Sequence, residues 1–167
     1  LGDFRGDRPS ACGAPRITVL GIGNTMMGDD GVGVAVAEDL AAAGPGENVR
    51  IVTAPIPGMS LMTYFLESDL VIIVDAVITK AEAGAIFRFH PGDAGTMNPP
   101  SNHAHGVGIF HLLTTARLKG ANPEVVIYGV QIGEVCFRDR QLSPAVVAAA
   151  RRVLELLSEE ISSWKRR

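Results

Sequence analysis

The chain is poor in cysteine, in net positive charge and in long apolar runs, and each shortage removes a class of function. Two cysteines, Cys12 and Cys136, in 167 residues make no disulfide framework and no CxxC-type metal site. So sparse a count fits a reducing compartment, and a cytoplasmic location is expected. Lys and Arg total 15 against 18 Asp and Glu, a formal net charge of −3. That balance gives no electrostatic basis for a nucleic-acid or anionic-membrane partner. No apolar stretch reaches the roughly 18–20 residues of a membrane span. The opening residues, LGDFRGDRPSACGAPR, have no apolar core of a secretory signal. They read as a flexible extension over residues 1–15, followed by a single domain over 16–165.

What is present is an alternation of strand and helix patterns. RITVLGIG, from Arg16, is a β-branched run that stops at glycine, as a buried strand does. GVGVAVAEDLAAAG then places Val32, Val36 and Leu40 on one helical face, with Gly44 and Pro45 as a stop. VRIVTA is a second strand, and a short helix from about Pro57 turns Leu61, Tyr64 and Phe65 inward. DLVIIVDAV is apolar enough for a central strand covered on both faces, ending at Asp75. GAIFRFH and EVVIYGVQI are further strands, separated by a helix from GVGIFHLL to Gly120. The last helix has Ser143 as N-cap, Pro144 in its first turn, and Val146, Val153, Leu157 and Ile161 at helical spacing. The pattern predicts an α/β layer with a largely parallel sheet and helices on both faces.

In such a sheet, sites form beyond the carboxyl ends of the strands. The loop GIGNTMMGDDGVG leaves the first strand, Asp75 leaves the third, and the segment carrying His103 and His105 leads into a helix at the same edge. Of Asp29 and Asp30, one suffices to cap the helix that follows. The other is either a solvated loop acid or an inward-facing ligand. Asp75 emerges from a dry strand, where an unpaired charge is costly. It therefore either accepts backbone N–H bonds in the next turn or has a functional role. His111 reads as a packed or half-exposed helical residue and His90 as a solvated strand end. Asn24 reads as a turn residue or as a brace for the loop.

A dinucleotide site does not fit. Gly21 and Gly23 are followed by Gly28, so GxGxxG is not met; the second strand ends in TAPIP without a ribose-binding acid. Two aspartates would also repel a pyrophosphate. Two carboxylates and an imidazole instead suit a borderline divalent ion such as nickel, zinc or manganese, in an open site. No serine nucleophile elbow or Cys/His pair supports a covalent mechanism, and there is no HExxH helix.

GIGNTMMGDDGVG, DLVIIVDAV and HAHGVG, in this order and spacing, resemble the hydrogenase maturation proteases over about Ile17 to Ile161. The resemblance implies an α/β three-layer sandwich with a twisted, mostly parallel five-stranded sheet and helices on both faces. It implies an endopeptidase that removes a C-terminal peptide from the large-subunit precursor of a nickel–iron hydrogenase after nickel insertion. It implies metal-contacting and catalytic roles for Asp30, Asp75 and His105, with His103 fitting the register less well. The nickel is expected to arrive with the substrate, and zinc or cadmium are alternative occupants of the same donors. A monomer acting on the hydrogenase precursor, with no nucleic acid and no membrane, is expected. A non-catalytic escort for the precursor and a metallohydrolase with its own ion are the rival readings. Where many members carry an acid and a glycine-rich turn after the second strand, this chain has TAPIPG, Thr53 to Gly58.

Overall fold

The structure is a computed structural model that describes residues 14–91, 106–133, 135, 137 and 140–166. Five strands are described: β1 (Ile17–Ile22), β2 (Val49–Ala54), β3 (Leu70–Val77), β4 (Ile86–Phe89) and β5 (Glu124–Gln131). The helices are α1 (Val32–Ala43), α2 (Met62–Glu67), α3 (Gly106–Leu118) and α4 (Pro144–Trp164). The strands lie in the order β2-β1-β3-β5-β4. All neighbours run parallel except β4, which pairs antiparallel with β5 at the edge. This is the mostly parallel five-stranded sandwich that the sequence predicts.

Its two cores follow from the alternation of side chains along the strands. Leu70, Ile72, Val74 and Ala76 of β3 pack with Val32, Val36 and Leu40 of α1 and with Val146, Val153, Leu157 and Ile161 of α4. Val71 and Ile73 pack on the other face with Leu61, Met62 and Phe65 and with Ile109, Leu112, Leu113 and Ala116 of α3. Burial on both faces leaves β3 buried along its whole length, as its uninterrupted apolar run requires.

Local signals end the helices where expected. Gly44 closes α1 in the left-handed region at φ 70°, a conformation glycine reaches without steric cost. Three details differ from expectation. β3 runs two residues past Asp75, so the acid lies inside the strand. The short helix begins with a 3-10 turn at Met59–Leu61, and Met62 is buried where Tyr64 is only partly so. Ser143 precedes α4 in extended backbone, yet its side chain makes no capping bond.

The strand order creates a switch point. From β1 the chain passes through α1 to β2 on one side, then through α2 to β3 on the other side of β1. The connections therefore diverge between the carboxyl ends of β1 and β3, the place where open α/β sheets form sites.

Candidate active site

The segment Thr25–Gly31 lies at that switch point as a 3-10 turn broken by non-helical backbone at Met27 and Gly28. Close packing sets its position. A Cβ on Gly33, in the first turn of α1, would lie 2.3 Å from both the Ile22 and the Val74 carbonyl oxygens. Only a glycine lets α1 start directly against the ends of β1 and β3. Gly23 has φ 141°, and a Cβ there would meet the Asp30 carbonyl at 1.9 Å. The loop thus leaves β1 and folds back on its own entry. β2 supports the same corner, since the Gly23 N–H donates to the Ala54 carbonyl at 3.1 Å.

Inside the loop the two aspartates part company. Asp30 turns back, its Oδ2 accepting the Asn24 N–H at 2.8 Å. Asn24 in turn accepts the Met26 N–H on Oδ1 at 3.0 Å. Asn24 has ordinary extended backbone, φ −101° and ψ 107°, so its place rests on this capping bond and not on tolerance of unusual angles. Asp29 reaches outward, its Oδ1 accepting the Ser143 N–H at the start of α4. Neither carboxylate caps α1, whose N-cap is Gly31; the expectation that one of the pair would do so is corrected. Asp29 contributes its main-chain carbonyl there, accepting the Val32 N–H.

Asp75 sits one residue beyond Val74, which pairs with Gly21 of β1, and itself pairs with Gly129 of β5. It is 1 % exposed. By alternation it belongs to the face of Val71 and Ile73, the face covered by α3. One carboxylate oxygen, Oδ1, accepts the Ala76 N–H at 2.9 Å. Asp75 thus accepts a backbone N–H, but from the next residue of its own strand and not from a following turn.

His103 and His105 lie outside the described residues. The helix that follows them, α3 from Gly106, covers the Asp75 face, and its first turn presses on the TAPIPG segment. A Cβ on Gly108 would lie 2.7 Å from the Pro57 carbonyl oxygen. Ile56 of that segment, Met59 just after it and Phe110 of α3 are each more than 60 % exposed.

The other histidines are elsewhere. His111 is exposed on α3 beside buried Leu112 and Leu113, so of the packed and half-exposed alternatives the packed one is excluded. His90 is partly buried, with Nδ1 donating to the Val125 carbonyl at 2.9 Å. That contact is near the start of β5, the end of the sheet opposite to Asp75. Among the described residues no three His, Cys, Asp or Glu side chains come together as a metal group.

Sequence reasoning missed a network on the α4 face. Arg88 donates to both oxygens of Glu160, at 2.8 and 3.0 Å, and the Tyr128 hydroxyl donates to the same carboxylate at 2.9 Å. Hydrogen bonding from Arg88 holds the Glu160 carboxyl below its usual range. Burial, with the neighbouring Glu160 charge, pushes the Tyr128 hydroxyl up to about 12. The three residues are 32 or more positions apart along the chain, beyond any local sequence signal.

No helix among the described residues is long and apolar enough to cross a membrane. A family model described as hydrogenase maturation protease matches residues 34–160. A Methanocaldococcus jannaschii protein provisionally named a hydrogenase maturation protease is 30% identical over 149 residues, 87% of this chain and 96% of that protein. Among solved structures, the hydrogenase maturating endopeptidase HybD from Escherichia coli superposes with a TM-score of 0.75 at 26% identity, covering 85% of this chain and 89% of that one. The NiFe hydrogenase maturation protease HycI from Thermococcus kodakarensis gives 0.72 at 27% identity, covering 90% and 95%. With a family model matched over residues 34–160 and a fold shared with these endopeptidases, the chain belongs to the hydrogenase maturation protease family of peptidases.

Proposed function

We propose that this peptidase cleaves the C-terminal extension from the large-subunit precursor of a nickel–iron hydrogenase once nickel has been inserted, and that it reads the nickel carried by the substrate through Asp30, Asp75 and His105. The observation that carries the reading is the convergence of the Asp30 loop and the Asp75 strand at the β1/β3 switch point, on the edge where α3 begins directly after His105.

Two carboxylates and an imidazole are donors suited to a borderline divalent ion. They leave positions for the precursor's own ligands and for a water or the scissile carbonyl. Asp30 is oriented by the Asn24 N–H and Asp75 by the Ala76 N–H, so both present a carboxylate without a search through rotamers. An ion shared with the precursor polarises the carbonyl or lowers the pKa of the attacking water. A carboxylate oxygen outside the coordination sphere accepts the proton of that water. A precursor lacking nickel offers these three side chains little to hold, which makes the metal a checkpoint. Zinc or cadmium would occupy the same donors. The reading is of a monomer acting in the cytoplasm.

The test mixes the purified protein with nickel-loaded and nickel-free precursor and follows the mass of the large subunit. Cleavage of the loaded form alone is expected, and equal cleavage of both overturns the checkpoint. Asp30→Asn and Asp75→Asn remove a ligand charge at similar volume, and each is expected to stop processing. Normal processing by both variants would remove the site assignment. A stable complex without loss of mass would instead mark an escort.

A further inference from the structure

Resting on the reading of Asp30 as a site carboxylate, we propose that its neighbour Asp29 is a positioning residue, anchoring the loop to the N-terminus of α4 so that Asp30 is held facing the substrate. The loop supports itself only in part, through bonds from the Asn24, Met26 and Met27 N–H groups. Met27 has φ −105° and ψ 34°, and Gly28 has φ 60° and ψ −121°, so the regular hydrogen bonding of a helix is broken inside it. Its shape depends also on attachments from outside.

Two of those attachments come from one short stretch, residues 140–143, at the end of the connection from β5 to α4. The Ser143 N–H donates to Asp29 Oδ1 at 2.5 Å. The Arg140 N–H donates to the Thr25 carbonyl at 2.7 Å. Arg140 is the one non-glycine residue with positive φ among the described residues, at 56°. A side-chain-bearing residue rarely takes that conformation unless its surroundings impose it, and here the reward is the bond to the loop. Asp29 is where the attachments join. Its main-chain carbonyl takes the first N–H of α1, and its carboxylate takes an N–H at the start of the 21-residue α4. An anion there is favoured by the unsatisfied N–H groups and the dipole of a long helix.

The next residue is Asp30, whose carboxylate returns to the Asn24 N–H at 2.8 Å. With Asp29 fixed outward, the peptide between them has one orientation, and Asp30 faces the opposite way. Ser143 adds no capping bond of its own, and its Oγ has no hydrogen-bond partner among the described residues. The N–H of the N-cap residue of α4 is therefore bonded by a carboxylate 114 positions away.

The bond can be cut from either side. Asp29→Ala removes the acceptor. Ser143→Pro removes the donor while fitting the φ of −66° at that position. Asp29→Asn keeps an oxygen that accepts the same N–H. The first measurement is the amide proton resonance of Asn24 in 15N NMR, which reports its bond to Asp30. The second is the single-turnover cleavage rate of saturating nickel-loaded precursor, with KM determined alongside. Asp29→Ala and Ser143→Pro are expected to move the Asn24 resonance upfield and to slow cleavage roughly tenfold or more, with KM little changed. Asp29→Asn is expected to retain both properties, and Ser143→Pro keeps the outcome readable if Asp29→Ala does not fold.

Wild-type resonance and rate in the two cutting variants would overturn the proposal, as would an Asp29→Asn that behaves like Asp29→Ala. Asp30→Asn in the same assay separates the two levels. If it cleaves normally, the reading of the site fails; if it alone is inactive while the cutting variants are not, only the positioning role fails.

Discussion

Two groups of carboxylates in this molecule are held in different ways. On the α4 face, Glu160 is gripped by the guanidinium of Arg88 and the hydroxyl of Tyr128. At the switch point, Asp29 and Asp30 accept from main-chain N–H groups, and no cationic side chain pairs with either among the described residues. A carboxylate already matched to an arginine has its charge answered and acts as a joint between β4, β5 and α4. One oriented by an amide keeps most of its charge for a cation that arrives later. Carboxylate chemistry is common to both groups; the arginine makes Glu160 a joint, whereas at the switch point Asp29 anchors the loop and Asp30 is the proposed ligand.

The largest effect that would sharpen this contrast lies in the third expected ligand. His105→Ala is expected to lower precursor processing at least roughly a hundredfold, and His103→Ala to leave most of it, both read by the mass of the large subunit. The reverse result would move the imidazole two residues along the HxH pair.

Smaller in rate but visible in stability is Glu160→Gln. It leaves Arg88 and Tyr128 with weakened partners and is expected to cost about 1–3 kcal/mol, toward the lower end because Arg88 is half in water. Denaturant unfolding measures this, and processing at a temperature where the fold holds is expected to be unchanged. A loss of processing without a loss of stability would break the division between joint and site.

The network also predicts two slopes with pH. The Glu160 carboxyl is held low in the folded state, so its contribution is present above the unfolded carboxyl range and is lost as pH falls through the folded value. Tyr128 is raised from 10.0 to about 12. Its proton is bound more tightly when folded, so that contribution is complete below pH 10 and disappears as pH rises toward 12. Tyr128→Phe is expected to flatten the alkaline slope, and Glu160→Gln the acid one, in unfolding free energies measured across pH. The smallest effect belongs to His111→Ala, expected to change stability by no more than about 0.5 kcal/mol and processing not at all. A marked loss of activity there would mean that an imidazole on α3 had been misassigned.

Much of the fold is legible in the sequence because its signals are local. The unbroken run Leu70–Val74 can only be a strand covered on both faces, and Val32, Val36 and Leu40 repeat at the spacing of one helical face. Gly44 stops α1 for a reason contained in one residue. The shared edge of the two acids was legible to the extent that strand ends and their loops are: β1, which leads into the Asp30 loop, and β3, which carries Asp75, are neighbours. The roles within the aspartate pair were not legible. Helix-capping rules assign one of them to α1, whereas α1 begins at Gly31 and the carboxylate of Asp29 goes to α4. The same rules give Ser143 a capping bond that it does not make.

By itself the sequence determined the alternation of strands and helices, the glycine corner and the supply of acids at a strand end, since these depend on neighbours a few residues apart. Only the tertiary structure decided which acid faces which way. That choice depends on an N–H delivered by Ser143, 114 residues from Asp29, and on an arginine at Arg88 answering a glutamate 72 residues away at Glu160. Such partners are brought together by packing two helices and a sheet, and no local pattern of residues encodes them.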